Sequence, residues 1–287
     1  MRTKALFVAL QGLALLVVLA ALVVGFLGGR PLAREWDVPL EPIALPTDSA
    51  SIEEGGRLAR ITGCRACHEE GLTGGQAFAD DLLLGRVVAV NLTRILPSYT
   101  DAELVRLLRH GVREDGTSAV VVPSEMYVHL ADEDLARIIA WLRTVPPAGE
   151  TYPKRKIGLL GKLGLLTGKY RTAADLVPAG VRWPERRPGP DDGAALGRYL
   201  AMTACTECHG QDLAGFPDEA PSLAIAAAYT PEQFRHLLRT GEALGGRRLE
   251  FMSEVSESRF RYFTDGEIDA LYGWLSAPGA SGAAASP

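Results

Sequence analysis

Hydrophobic positions run together at the start of the chain. Between Ala5 and Gly29 only Gln11 and a few glycines interrupt an apolar stretch of 25 residues, preceded by Arg2 and Lys4. The run is longer than a signal-peptide core and matches the roughly 20 residues a helix needs to span a bilayer. "FLGGRPLA" offers no clean small-x-small cleavage site. The pattern therefore predicts an uncleaved anchor, with a cleaved leader as the competing reading. Positive charge ahead of the run favours a cytoplasmic N-terminus, although Arg30 and Arg34 beyond it weaken that count.

Past the anchor, apolar residues recur mostly at helical spacing and period-2 alternation is scarce. Leu135, Ile138, Trp141 and Leu142 form one stripe, and Ile268, Leu271, Trp274 and Leu275 form another. Both stripes read as core-facing sides of helices. Thr100 to Glu103 and Thr230 to Gln233 have the form of capping boxes, the second with Pro231 at the first helical position. Gly111 and Gly241 stand where those helices should stop. Asp132, and Thr264 or Asp265, are expected caps for the closing helices, which end before Pro146 and Pro278.

These elements come in duplicate. "GRLARITGCRACHEEGLTG" at 56–74 is mirrored by "GRYLAMTACTECHGQDLAG" at 197–215. "YTDAELVRLLRHG" at 99–111 is mirrored by "YTPEQFRHLLRTG" at 229–241, and "LADEDLARIIAWL" at 130–142 by "FTDGEIDALYGWL" at 263–275. Three blocks in the same order imply one fold used twice. Gly56 and Gly197, on the first helix of each copy, would let another helix approach closely.

The predicted organisation is all-α: a transmembrane anchor at 1–30, a linker at 31–50, one domain at 51–148, an interdomain linker at 149–190, a second domain at 191–278 and a flexible tail at 279–287. The interdomain stretch begins basic and apolar, with Lys156, Lys162 and Lys169 around Leu159, Leu160, Leu163 and Leu166, and ends rich in proline. It could lie on a membrane surface, but its glycines weaken a helix, and a strap across the two domains is the preferred reading. A net charge of −5 and a pI near 5.6 supply no basic field for nucleic acid.

The chemistry sits in the first repeated block. All four cysteines and two of the five histidines occur as Cys64-x-x-Cys67-His68 and Cys205-x-x-Cys208-His209. Zinc knuckles usually pair over some 15–20 residues, far less than the separation of Cys67 from Cys205, and zinc gives no reason for a histidine fused to each pair. A thioredoxin-like dithiol should follow a strand, whereas the residues before both pairs read as helix. Covalent haem c uses all five positions: two thiols add to the porphyrin vinyl groups and the adjacent histidine reaches the iron. The sequence thus calls for two haem c groups, tethered by Cys64 and Cys67 and by Cys205 and Cys208, with His68 and His209 on the irons. His110 and His236 align with Thr240 and Arg106 and read as surface positions.

At these residues the chain resembles membrane-anchored dihaem cytochromes c with two class I cytochrome c domains, similar to the cytochrome subunits of membrane-bound dehydrogenases. The likeness covers roughly 50–148 and 191–278. Beyond the two haem motifs it rests on "VNLTRILPSYTDAELVRLLRHGV" and on the closing "ADEDLARIIAWLR". It implies a non-catalytic carrier in the bacterial cytoplasmic membrane, with its haem domains on the periplasmic side. Such a carrier takes single electrons to or from redox proteins: a dehydrogenase, a quinol-oxidising complex, an oxidase or a soluble cytochrome. The family also implies a methionine as sixth iron ligand from the loop before each closing helix. Met252 fills that role for haem 2, while Met202, on the attachment helix, reads as core. For haem 1 the family's methionine position holds Val122, which leaves Met126, His129 or an open iron. An open iron would suit a dihaem peroxidase or a haem sensor, but no distal acid–base set can be named for one.

Overall fold

The computed structural model describes residues 2–217 and 219–280; most of the expected tail lies outside them. An apolar helix, α1 (Arg2–Leu27), opens the chain. By length and composition it could cross a membrane, with a mean hydropathy of 2.8 and none of its apolar window buried against the protein. The rest is helix-rich. In the first half come α2 (Ser49–Ile61), α3 (Cys64–His68), α4 (Asp101–His110), α5 (Ser124–Tyr127) and α6 (Asp132–Thr144). The connecting segment forms α7 (Leu159–Leu166). The second half holds α8 (Gly193–Ala204), α9 (Thr206–His209), α10 (Pro231–Thr240), α11 (Glu250–Ser258) and α12 (Asp265–Leu275).

In each half the helix before the Cys-x-x-Cys-His motif crosses the closing helix, α2 on α6 and α8 on α12. Glycine permits both crossings. A β-carbon on Gly55 would strike the Arg137 carbonyl, one on Gly197 would strike the Ala270 carbonyl, and one on Gly56 would meet the Trp141 indole. Two apolar clusters result. One gathers Leu58, Leu104, Met126, Leu135 and Ile139; the other gathers Leu200, Leu238, Phe263, Ile268 and Leu271.

The capping signals lie where the sequence put them. Full capping boxes start α4 at Thr100, α10 at Thr230 and α12 at Thr264, and Gly111 and Gly241 end α4 and α10 in the left-handed region. Asp132 departs from expectation. The residue before α6 is Ala131, without a side-chain cap, and the Asp132 carboxylate instead pairs with buried Arg109 at 2.8 Å.

Helical spacing gave no warning of a small antiparallel sheet, in which β1 (Ala77–Asp81) pairs with β2 (Gly85–Val88) and β2 with β3 (Lys156–Ile157). These strands are too short for a period-2 pattern to register, and the third belongs to the connecting segment. A two-residue pair, β4 (Glu242–Ala243) with β5 (Arg247–Arg248), follows α10.

The connecting segment also differs from a simple strap. Its basic, apolar beginning is α7, packed on the end of α1, with the Lys162 ammonium donating to the Gly25 carbonyl at 3.2 Å. Only its proline-rich end bridges the two halves. There Pro184 and Glu185 carbonyls accept from the first two N–H groups of α6, and Arg187 pairs with Glu267 of α12.

Candidate haem-attachment sites

The two Cys-x-x-Cys-His segments are built alike. Each forms a short helix, α3 or α9, followed at once by a sharply turned loop. The two loops repeat hydrogen bond for hydrogen bond. Leu72 N–H donates to Glu69 O and Gly74 N–H to His68 O; Leu213 N–H donates to Gly210 O and Gly215 N–H to His209 O. Leu72 and Leu213 both hold positive φ, 56° and 57°, while almost wholly buried. A leucine accepts that backbone only where packing enforces it.

The loops position the histidines. Nδ1 of His68 lies 2.8 Å from the Val90 carbonyl, and Nδ1 of His209 lies 2.8 Å from the Pro221 carbonyl. A carbonyl only accepts, so Nδ1 carries the proton in each ring and Nε2 keeps its lone pair for a metal. Burial lowers the pKa of both imidazoles, with the backbone hydrogen bond pulling the other way. Neutral rings are the form that ligates iron.

The thiols fit a tether better than a dithiol or a zinc knuckle. All four are free, with Cys64 and Cys205 buried, Cys67 half-buried and Cys208 exposed. Burial raises every thiol pKa, taking Cys205 up to about 12, and the Glu207 carboxylate adds to the rise at Cys67 and Cys208. A redox dithiol needs the opposite shift. Among the described residues no three His, Cys, Asp or Glu side chains converge to hold a metal ion. A narrow cleft opens at Cys64, lined by Leu108, Tyr127, Leu130, Leu135 and Ile138. The thiol and imidazole donors suit haem attachment, and the cleft beside Cys64 is apolar but, at about 10 Å³, would have to open to admit a porphyrin.

The expected sixth ligands are placed differently from each other. Met252 is half-buried in α11 against the second cluster. Met126 is fully buried in the first cluster, which also holds Cys64, and its sulfur receives a long contact of 3.9 Å from the Arg259 guanidinium. Val122 packs at the edge of the same cluster. His129 turns toward the other half, where its Nε2 meets Gln211 at 2.7 Å.

Sequence reasoning did not find Arg259, which joins the two motifs. This buried side chain donates to the Ile61 carbonyl, three residues before Cys64, at 2.9 Å. It also pairs at 2.9 Å with Glu207, which lies between Cys205 and Cys208. Burial works against its charge, but the Glu207 carboxylate outweighs that and raises its pKa. Counted back from the closing helices, Arg259 and Met126 occupy matching positions, six residues before Asp265 and Asp132. The repeat alignment could have marked Arg259 as a substitution at a contact position, but not its partners.

Around Arg259, segment 125–134 of the first half, from α5 into α6, is seated on the residues flanking the second motif. Gln211 donates to the Glu125 carbonyl at 2.8 Å, and the Tyr199 hydroxyl donates to Asp134 at 2.7 Å while accepting from Ala131 N–H. Farther along the interface, Glu267 accepts a two-pronged pair from Arg57 at 2.8 Å for each oxygen.

No protein-family model matches the chain. It is similar to the fructose dehydrogenase cytochrome subunit of Gluconobacter japonicus, at 27% identity over 83% of this chain and 54% of the relative. It is also similar to the cytochrome c subunit of alcohol dehydrogenase (quinone) from Gluconacetobacter polyoxogenes, at 25% identity over 79% of this chain and 56% of the relative. The corresponding subunit of Gluconobacter oxydans (strain 621H) is 26% identical over 65% of this chain and 40% of the relative. The chain spans about half the length of the curated relatives it matches. Each of those relatives is the cytochrome subunit of a dehydrogenase.

Proposed function

We propose that the protein relays single electrons between two haem c groups held outside the cytoplasmic membrane, as the cytochrome component of a periplasmic oxidation. The observation that carries this reading is Arg259. One buried guanidinium binds the backbone just ahead of the first Cys-x-x-Cys-His and a side chain inside the second. Groups tethered to the two motifs would therefore be held in one rigid neighbourhood.

In this reading Cys64, Cys67, Cys205 and Cys208 are the covalent tethers, and His68 and His209 offer Nε2 to iron. The Val90 and Pro221 carbonyls hold the Nδ1 protons and fix the ring orientation. Met252 is the proposed sixth ligand of haem 2. For haem 1 it is Met126, whose sulfur has a second lone pair free beside the one facing Arg259. When bound, the haems supply the one-electron chemistry; the protein supplies ligands, burial and spacing. The relatives' names point to a dehydrogenase as electron donor and, for the alcohol dehydrogenase subunits, to a quinone. α1 is the membrane anchor in this account.

Stopped-flow reduction with half an equivalent of electrons per chain tests the relay. After the initial reduction, the electron should redistribute between two spectrally distinct haems in a phase whose rate does not depend on protein concentration. A redistribution rate proportional to concentration would mean that the haems exchange only between molecules.

A further inference from the structure

We infer that α7 and the tip of the β1–β2 hairpin form a second membrane contact, seated in the lipid interface beside α1. The inference rests on reading α1 as a retained span. A short helix on a soluble protein buries its large apolar side chains and shows small or polar ones to water. α7 does the reverse. Gly161 and Gly164 face inward, where β-carbons would strike the Leu84 carbonyl and the Tyr170 ring. Leu159, Leu160, Leu163 and Leu166 point outward, each about two-fifths exposed (39–44%).

The hairpin tip continues this surface. Leu82 is 93% exposed and Leu83 is 55% exposed. The Leu83 and Leu84 carbonyls accept from Leu160 and Gly158 N–H at 2.9 and 2.8 Å, so the tip caps the start of α7. The Asp81 carboxylate is turned back onto Leu83 and Leu84 N–H at 2.7 Å and shapes the turn. Apolar surface of this kind, left in water, is an aggregation liability.

Two observations name the occupant as lipid. The surface is continuous with α1: Gly28 lies against the Lys162 backbone and Lys162 reaches the Gly25 carbonyl at the end of the span. The charge along its helical arm is also of one sign, and the two acids of the hairpin arm are engaged, Asp80 with Arg86 at 3.7 Å and Asp81 with the Leu83 and Leu84 N–H groups. From residue 151 to 174 there is no Asp or Glu, while Lys154, Lys156, Lys162 and Lys169 surround the leucines. Leucines ringed by lysine, with exposed Tyr152 and Tyr170 nearby, are the pattern of an element lying in the headgroup boundary. Such a contact would fix the tilt of the first half over the bilayer, which a single helix cannot.

The test places nitroxide labels on the full haem-loaded chain in phosphatidylcholine–phosphatidylglycerol vesicles, through Leu82→Cys, Leu163→Cys and, as an aqueous control, Glu232→Cys. Collision with oxygen relative to a water-soluble nickel chelate should be several-fold higher at 82 and 163 than at 232. Labels at 82 and 163 that match the control would overturn the inference. Labels shielded from both reagents would overturn it too, because a protein rather than lipid would then cover the surface. Intact mass is read separately: loss of about 30 N-terminal residues refutes the span. In that case the same labels, on the shortened protein mixed with vesicles, still decide the docking.

Discussion

Glu267 should hold the two halves together by a charge-dependent bond. Its carboxylate is buried in α12, accepts from Arg57 of α2 through both oxygens at 2.8 Å, and also pairs with Arg187 of the connecting segment. Burial alone would raise its pKa. The Arg57 hydrogen bonds and the Arg187 charge outweigh burial and bring it from 4.5 down to about 2. At 1.36 kcal/mol per unit, that depression is worth about 3 kcal/mol of stability at neutral pH.

The sign follows from the direction. A carboxyl depressed in the folded state stabilises above its unfolded pKa, and the contribution fades as pH falls from 4.5 toward 2. Glu267→Gln is the perturbation of choice, since glutamine, like the protonated carboxyl, loses the charge and keeps one acceptor oxygen, which can still serve the Thr264 N–H of the α12 capping box. Urea unfolding followed by far-ultraviolet circular dichroism should show the variant about 2–3 kcal/mol less stable at pH 7. The gap should shrink to about 1.4 kcal/mol or less at pH 3. A variant within about 0.5 kcal/mol of wild type at pH 7, the range of an ordinary surface substitution, would refute the reasoning. So would a gap that stays constant with pH.

Three further outcomes follow from the site. Met252→His should keep both haems attached and lower the potential of haem 2, because imidazole stabilises ferric iron more than thioether does; an unchanged redox titration would remove Met252 from the ligand set. Met126→Ala should let the reduced protein bind carbon monoxide at one haem while wild type resists it, and carbon monoxide binding by wild type would show that Met126 only packs. Arg259→Leu should cost about 3 kcal/mol by leaving Glu207 and the Ile61 carbonyl unpaired at the interface. Adding Glu207→Leu should recover part of that loss in thermal melts, whereas strictly additive losses would mean the pair is not coupled.

What the sequence made legible was local. The capping boxes at Thr100 and Thr230 and the glycine stops at 111 and 241 depend on residues within a few positions of each other, and the duplicate blocks emerge from matching the sequence against itself. The local shape of the two five-residue motifs is of the same kind, each a short helix whose histidine turns Nδ1 to a nearby carbonyl. The interface is different. Arg57 finds Glu267 across 210 positions and Arg259 finds Ile61 across 198, distances over which no periodicity carries information. The reversed faces of α7 were also hidden, because Leu and Gly counts do not say which side meets protein. Asp132 had the right residue type for a cap, but Arg109 supplied a stronger partner for its charge.

The central claim is that one chain carries two haems and exchanges one electron at each. Intact mass combined with coulometric titration of the same purified sample tests it most directly. The account predicts the mass of the chain plus two covalent haems, and two one-electron steps per chain. A mass with a single haem, or a single one-electron step, would contradict it.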